Sequence, residues 1–237
     1  QDLRLREWRH TNLFFQNNDH FWKEKAGDFE RAALEVAGAC PGDAAIIMFV
    51  AGYLADGLGA LKPAIDILKR ARQRGILGWD GVVQLVDLLR RAERWKEALP
   101  LARELVEQAP GMLAHRERWI FALYYSGDTE AALQEFEAAV THFKSCRVWD
   151  DATVRGLGYM AATIGAGERA VELLSEAIQL RRRVITVNDW TLSQWYSELA
   201  QSLAGLGRLR EAIDASAGAV LAWTADRYER TQSLEAL

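Results

Sequence analysis

The sequence is poor in most of the features that announce a particular chemistry. Two cysteines in 237 residues, Cys40 and Cys146, are too few for a disulfide framework, and their separation fits a reducing compartment, so a cytoplasmic location is the default. Prolines number four, Asn-Gly hairpin signals are missing and no stretch sustains period-2 alternation, which argues against a β-sandwich or barrel and for an all-α chain. A net charge of −4, with acids and bases interspersed, gives no sign of a nucleic-acid phosphate tracker or a polybasic membrane binder. The one compact basic run, Arg181 to Arg183, reads as a solvated helix end. No run approaches the roughly 20 apolar residues of a membrane span. The longest apolar stretch, AAIIMFVAGYLA (44–55), is short and interrupted, and is expected to be a buried helix. Low-complexity stretches and flexible linkers are also lacking, so one domain, 1–237, is expected. The chain opens on Gln1, and QDLRLREWRH carries no apolar signal-peptide core, so a piece of a longer chain or complex is the expectation.

Catalytic and cofactor signatures are equally thin. The four histidines, His10, His20, His115 and His142, have neither zinc nor catalytic spacing. His142 and Cys146 lie four apart and could share a helical face, but no orienting third group accompanies them, so a chance pair is the reading. Asp150 and Asp151 precede a helix start near Thr153, where capping accounts for them better than acid-base work. GLGYMA and GLGALK follow no strand and fail as dinucleotide loops. No cofactor and no metal are therefore expected, and the chain is read as non-enzymatic.

What the sequence does contain is a repeat. Gly127, Ala132, Phe136 and Ala139 recur upstream as Gly59, Ala64, Leu68 and Ala71, and Ala98, Ala102 and Leu105 fill the same slots between them. Downstream come Gly165, Ala170, Leu174, Ala177, then Gly207, Ala212, Ser216, Ala219; upstream, Gly27, Ala32, Val36, Ala39. The six leading alanines, 32, 64, 98, 132, 170 and 212, are spaced by 32, 34, 34, 38 and 42 residues. The surplus in the last two connections is placed around FKSCRVWDD and RRRVITVNDW, as longer helices. Helices joined by a short turn pack antiparallel, and alanine at the crossing lets their backbones approach closely. Glycines 59, 127, 165 and 207 are expected to end first helices in the left-handed conformation. Pro63 suits a second-helix start, whereas Pro100 lies deep enough to imply a kink or a late start.

This pattern resembles the tetratricopeptide repeat family over about residues 13 to 226, in about six units. The resemblance implies a right-handed α-solenoid of antiparallel helix pairs. First helices would contribute Ala51-Gly52, Leu85-Val86, Trp119-Ile120, Leu157-Gly158 and Leu199-Ala200. Gly52 and Gly158 match the family glycine; Val86, Ile120 and Ala200 depart from it, and His20 makes the first unit's first helix irregular. In the family the first helices line the concave side. Carried over, the inward slots hold Phe49 and Tyr53; Asp87, Arg90 and Arg91; Arg118, Phe121, Tyr124 and Tyr125; Arg155 and Tyr159. Aromatic and arginine side chains are the types enriched at binding hot spots.

From these slots the expected partner is a peptide, helix or loop of another protein, held by Phe49, Tyr53, Arg91, Arg118, Phe121, Tyr124, Tyr125, Arg155 and Tyr159. Nucleic acid and direct membrane insertion are not expected. A chaperone C-terminal tail is not expected either, because the first-unit slots that would clamp its carboxylates read Asn17 and Phe21. The competing reading is a regulatory or sensor segment of a larger signalling ATPase or protease whose catalytic domain lies elsewhere. Most of the nine tryptophans are read as packing residues, Trp95 and Trp119 within repeats and Trp79, Trp149 and Trp190 just before first helices.

Overall fold

The computed structural model describes residues 19–184 and 190–235, with the side chains of 25–183 and 190–223. Asn17, His10 and the heart of the 181–190 connection lie outside the described residues, as do the side chains of His20 and Phe21. The described residues form eleven α-helices and no strand. They run α1 (Asp19–Ala39), α2 (Ala44–Gly52), α3 (Leu61–Gln73), α4 (Trp79–Arg91), α5 (Trp95–Gln108), α6 (Leu113–Tyr125), α7 (Thr129–Ser145), α8 (Asp151–Thr163), α9 (Gly167–Val184), α10 (Trp190–Gly205) and α11 (Leu209–Glu235). Compactness divides the chain within α5, between Leu105 and Val106, into two units. In the first, α2 packs on α3 and α3 on α4; in the second, α6 packs on α7, α8 on α9, α9 on α10 and α10 on α11. The fold is the repeated antiparallel helix pair of the α-solenoid class.

The small residues sit where the pairs cross. Ala64, Ala98, Ala132, Ala170 and Ala212 are all buried on second helices. At the α8–α9 crossing a Cβ added to Gly158 would stand 2.8 Å from Leu174 Cγ and 3.1 Å from the Leu174 backbone nitrogen. No larger side chain fits there without separating the helices.

In the first repeat the structure corrects the sequence reading. α1 runs unbroken through Gly27, so no turn fixes the register there, and Ala32 and Val36 are exposed while Ala33 and Ala37 are buried one residue further on. The last repeat makes a similar exchange, Ser216 being exposed and Ala215 buried. The extra residues of the later repeats lengthen the second helices, 17 residues in α7 and 18 in α9 against 13 in α3. α5 begins at Trp95 and continues through Pro100, so the helix does not start late.

Turns follow the local chemistry. Asp43, Asp128 and Asp150 cap α2, α7 and α8 through bonds to Ala45, Ala131 and Thr153 nitrogens at 2.9, 3.1 and 2.7 Å. The backbone N–H of Thr153 holds the Asp150 carboxyl below its usual range. Glycines 59, 127, 165 and 207 all have positive φ, as their slots require. The corresponding slot between α4 and α5 holds Glu93, which adopts φ +55° and the same closure, its N–H bonding to the Arg90 carbonyl at 3.0 Å and that of Arg94 to Leu89 at 2.9 Å.

Ion pairs join successive second helices. Lys69 of α3 binds Glu97 of α5, and Glu137 of α7 binds Arg169 of α9 at 3.0 Å. Lys69 and Glu137 each lie five residues after a crossing alanine, Glu97 and Arg169 each one before, so the same register pair recurs with its charges exchanged. Hydrogen bonds from Arg94, at 2.6 Å, and from Lys69 hold the Glu97 carboxyl at a pKa of about 2.

Two substitutions check this register. Ala132→Leu, at a crossing, should lose about 1 to 3 kcal/mol in urea unfolding, while Ala138→Leu, on the exposed side of α7, should stay within about 0.5 kcal/mol of the parent. Equal losses would refute it. Glu93→Gly should raise stability by about 1 kcal/mol, because glycine takes the left-handed turn without the steric cost that a Cβ incurs there.

Candidate functional site

Two patches on first helices gather the predicted site residues, one in each compact unit. In the first unit α2 ends in a π-helical turn, Tyr53–Gly57, closed by the Leu58 N–H on the Tyr53 carbonyl at 3.2 Å. Phe49 is exposed, and the Tyr53 ring, at the start of the turn, folds inward against the space where Gly57 would carry a Cβ, 3.1 Å away. Burial pushes the Tyr53 phenol above its ordinary pKa. Tyr53 is therefore a packing residue in this conformation and not the contact surface expected of it. Arg91 of α4 reaches this turn, its guanidinium donating to Asp56 Oδ1 at 2.5 Å and to the Ala55 carbonyl at 3.1 Å. Gln84 donates to the Met48 carbonyl at 3.0 Å and ties α4 to α2 a second time.

The second unit carries the denser patch. Tyr124 and Tyr125 end α6, with ring centroids 5.1 Å apart in an edge-on arrangement. Successive helical residues diverge by about 100°, so both cannot enter one core, and Tyr125 stays exposed while Tyr124 is half-buried. Phe121, one turn earlier, is buried and meets the edges of both Tyr125, at 6.4 Å, and Tyr159 of α8, at 6.1 Å. The expectation that Phe121 itself faces a partner is corrected: it fills the space beneath the two tyrosines and braces them. Tyr159 is exposed, and the Arg155 guanidinium lies 5.4 Å from its ring centre. Arg118, earlier on α6, donates to the Ala114 carbonyl at 2.8 Å.

Two carboxylates at these patches escaped the sequence reading. Glu198 of α10 accepts both guanidinium bonds of Arg155, one from Nε at 3.0 Å and one from Nη2, while Asp56 accepts one bond from Arg91, whose other goes to the Ala55 carbonyl. Each arginine is held by the neighbouring first helix, so it presents a fixed, partly neutralised edge. Only a repeat-register comparison of one first helix with the next could have signalled these partners, since 43 residues separate Arg155 from Glu198.

Elsewhere the chemistry is structural. Arg181 donates to Asp151 Oδ2 at 3.1 Å, and Arg181 and Arg182 each lie 5.7 Å from a ring centre, of Trp195 and Tyr196. Trp149 donates to Glu176 at 2.7 Å under the Lys144 ammonium. Cys146 Sγ stands 3.8 Å from His142 Nε2 at the exposed end of α7. Among the described residues no cluster of three or more metal-ligating side chains forms, and no helix is long and apolar enough to cross a membrane.

No family model matches the sequence, and no curated protein matches it. The fold does have solved counterparts. The TPR-like repeats of a kinesin light chain from Podosopora anserina superpose with a TM-score of 0.64 at 16% identity, over 80% of this chain and 98% of that one. BtubC from P. vanneervenii gives 0.56 at 15% identity, over 86% and 92%. MamA from Desulfovibrio magneticus RS-1 gives 0.52 at 15%, over 80% and 96%. The fold is that of the TPR-like repeat proteins.

The Ser145 hydroxyl stands 3.9 Å from Cys146 Sγ but donates to the His142 carbonyl at 2.8 Å, and it is not a carboxylate that could hold the imidazole in one tautomer. His142→Ala and Cys146→Ser, singly or together, should leave whatever activity the chain supports within a factor of about three and the helical spectrum unchanged. A folded variant that loses that activity would restore the pair to the functional surface.

Proposed function

We propose that this chain is a non-enzymatic interaction module, a scaffold that holds a peptide, helix or loop of a partner protein on the side its first helices line. The observation that carries the reading is the run of ring contacts from Tyr124 through Tyr125 and Phe121 to Tyr159 and Arg155. Exposed tyrosines are seated on a buried phenylalanine and edged by an arginine that an ion pair already immobilises. Such a surface loses little side-chain entropy on binding, and each tyrosine offers apolar area together with a hydroxyl. Phe49, exposed on the helix whose closing turn holds the Arg91–Asp56 pair, gives the first unit an aromatic side chain and an arginine of the same kinds. Partner residues of complementary shape would bury the rings, while Arg155 and Arg91 would set orientation and the salt dependence of association. A reducing, cytoplasmic setting fits the two unpaired cysteines.

A peptide library selected against the purified chain supplies a ligand for the test. Replacing Tyr124 and Tyr125 together by serine should weaken the selected peptide by about 2 kcal/mol, roughly thirtyfold, with little change in melting temperature. Binding that survives those replacements but is lost on changing Glu135 and Glu172, on second helices, would place the working surface on the opposite side.

A further inference from the structure

Arg155 uses only part of its hydrogen-bonding capacity. A guanidinium carries N–H groups on three nitrogens. Glu198 of α10 takes one at Nε, at 3.0 Å, and one at Nη2, while the centre of the guanidinium lies 5.4 Å from the Tyr159 ring centre. Among the described residues no acceptor takes the N–H groups of Nη1. The Arg155 side chain is 33% exposed and that of Glu198 23%.

Arg91 of the first unit shows how such a pair completes itself. Its Nη1 donates to the Asp56 carboxylate and its Nη2 to the main-chain carbonyl of Ala55 at 3.1 Å, so one guanidinium serves a charge and a neutral carbonyl together. Arg155 has the carboxylate and lacks the carbonyl.

Charge decides what that second acceptor is. With Glu198 on the fork, a further carboxylate at Nη1 is drawn by the guanidinium and repelled by Glu198, so little net attraction offsets the cost of stripping its water. A main-chain carbonyl carries no such cost. It needs a donor, which Nη1 supplies, and the neighbouring Tyr159 ring covers apolar surface beside it.

Resting on the function proposed above, we infer that Glu198 is the specificity-determining residue of the second-unit patch. By occupying the fork it converts Arg155 from a carboxylate receptor into a donor for a main-chain carbonyl. The segment bound there is uncharged where it meets Arg155 and lays an apolar side chain against Tyr159. Glu198 acts through Arg155, as a positioning residue. An ion pair that served only as a strut between α8 and α10 would leave the choice of ligand unchanged when its carboxylate is neutralised.

The test takes a peptide selected on the purified whole chain and scans it with aspartate, one position at a time, against the parent and against Glu198→Gln. At the position facing Arg155, aspartate should weaken binding to the parent at least about tenfold and be tolerated or favoured by the variant. A thioamide scan of the same peptide on the parent replaces each carbonyl in turn by a poorer acceptor and should find one sensitive bond, at or next to that position. It needs no variant, so it decides the matter alone if Glu198→Gln does not fold. An aspartate scan that a folded Glu198→Gln leaves unchanged, or a thioamide scan flat along the peptide, overturns the inference; the proposed function still stands if replacing Tyr124 and Tyr125 by serine weakens that peptide. A peptide indifferent to the tyrosines overturns both.

Discussion

Everything in this chain follows from how closely two helix backbones approach at a crossing. Ala64, Ala98, Ala132, Ala170 and Ala212 remove the side-chain bulk that would hold a pair apart, and at Gly158 the limit is reached, with the next helix's backbone within 3.1 Å of an absent Cβ. Close approach determines which stripe of each helix is buried, so it also determines which stripe is left over. The Lys69–Glu97 and Glu137–Arg169 pairs then set how successive second helices slide. These exposed pairs add little net stability.

The first-helix patches inherit their geometry from that constraint. Phe121 and Tyr125 share one stripe of α6, so with Phe121 in the core the Tyr125 ring at the helix end lies against it, and the next first helix brings Tyr159 against the same phenylalanine. The arginines are limited in the same way. Because α10 brings Glu198 to Arg155 and the π-turn brings Asp56 to Arg91, neither guanidinium is a spare cation for an acidic peptide. An incoming carboxylate has to compete with one already in place, which favours partners recognised through their rings and apolar groups over highly acidic ones.

How much of this could be read from the sequence depended on whether a steric rule left its mark on residue type. The crossing alanines and turn glycines did, since few residues satisfy either demand, and once the register was known Glu93 stood in a glycine slot. Ala32 misled because the segment around it is rich in alanine and Gly27 sits inside α1 without a turn to anchor the count, so Ala33 and Ala37 could take the buried face. The π-turn at Tyr53–Gly57 left no such mark, because it is a matter of backbone hydrogen bonding that side-chain periodicity does not report, and the glycine it brings under the Tyr53 ring lets that ring pack. For Phe121 the repeat slot was right and the outcome was not, because that slot lies on the border between core and surface and the size of the neighbouring ring decides the side. Glu198 was hidden for a different reason, as a pairing between elements that only the packed helices bring together.

The chain offers its two kinds of surface on different terms. On the first-helix patch of the second unit the exposed rings are tyrosines, each ending in a hydroxyl, and Tyr159 also faces the Arg155 guanidinium, so under the proposed function water could leave or return there at small cost. Along α11 the ridge of Leu209, Ile213 and Val220 has no polar tip, and the groove between α10 and α11 offers only the side-chain hydroxyl and amide groups of Ser197, Gln201 and Ser216. A polar or loosely fitting ligand would leave that face partly wet and gain little, since the return comes from apolar area removed from water and grows with the completeness of the fit. Complete fit along a helix requires another helix at close approach, which is the arrangement the alanine crossings already impose within the chain, as at Ala64, Ala132, Ala170 and Ala212. The rule that builds the fold thus also bears on what the α10–α11 pair can receive.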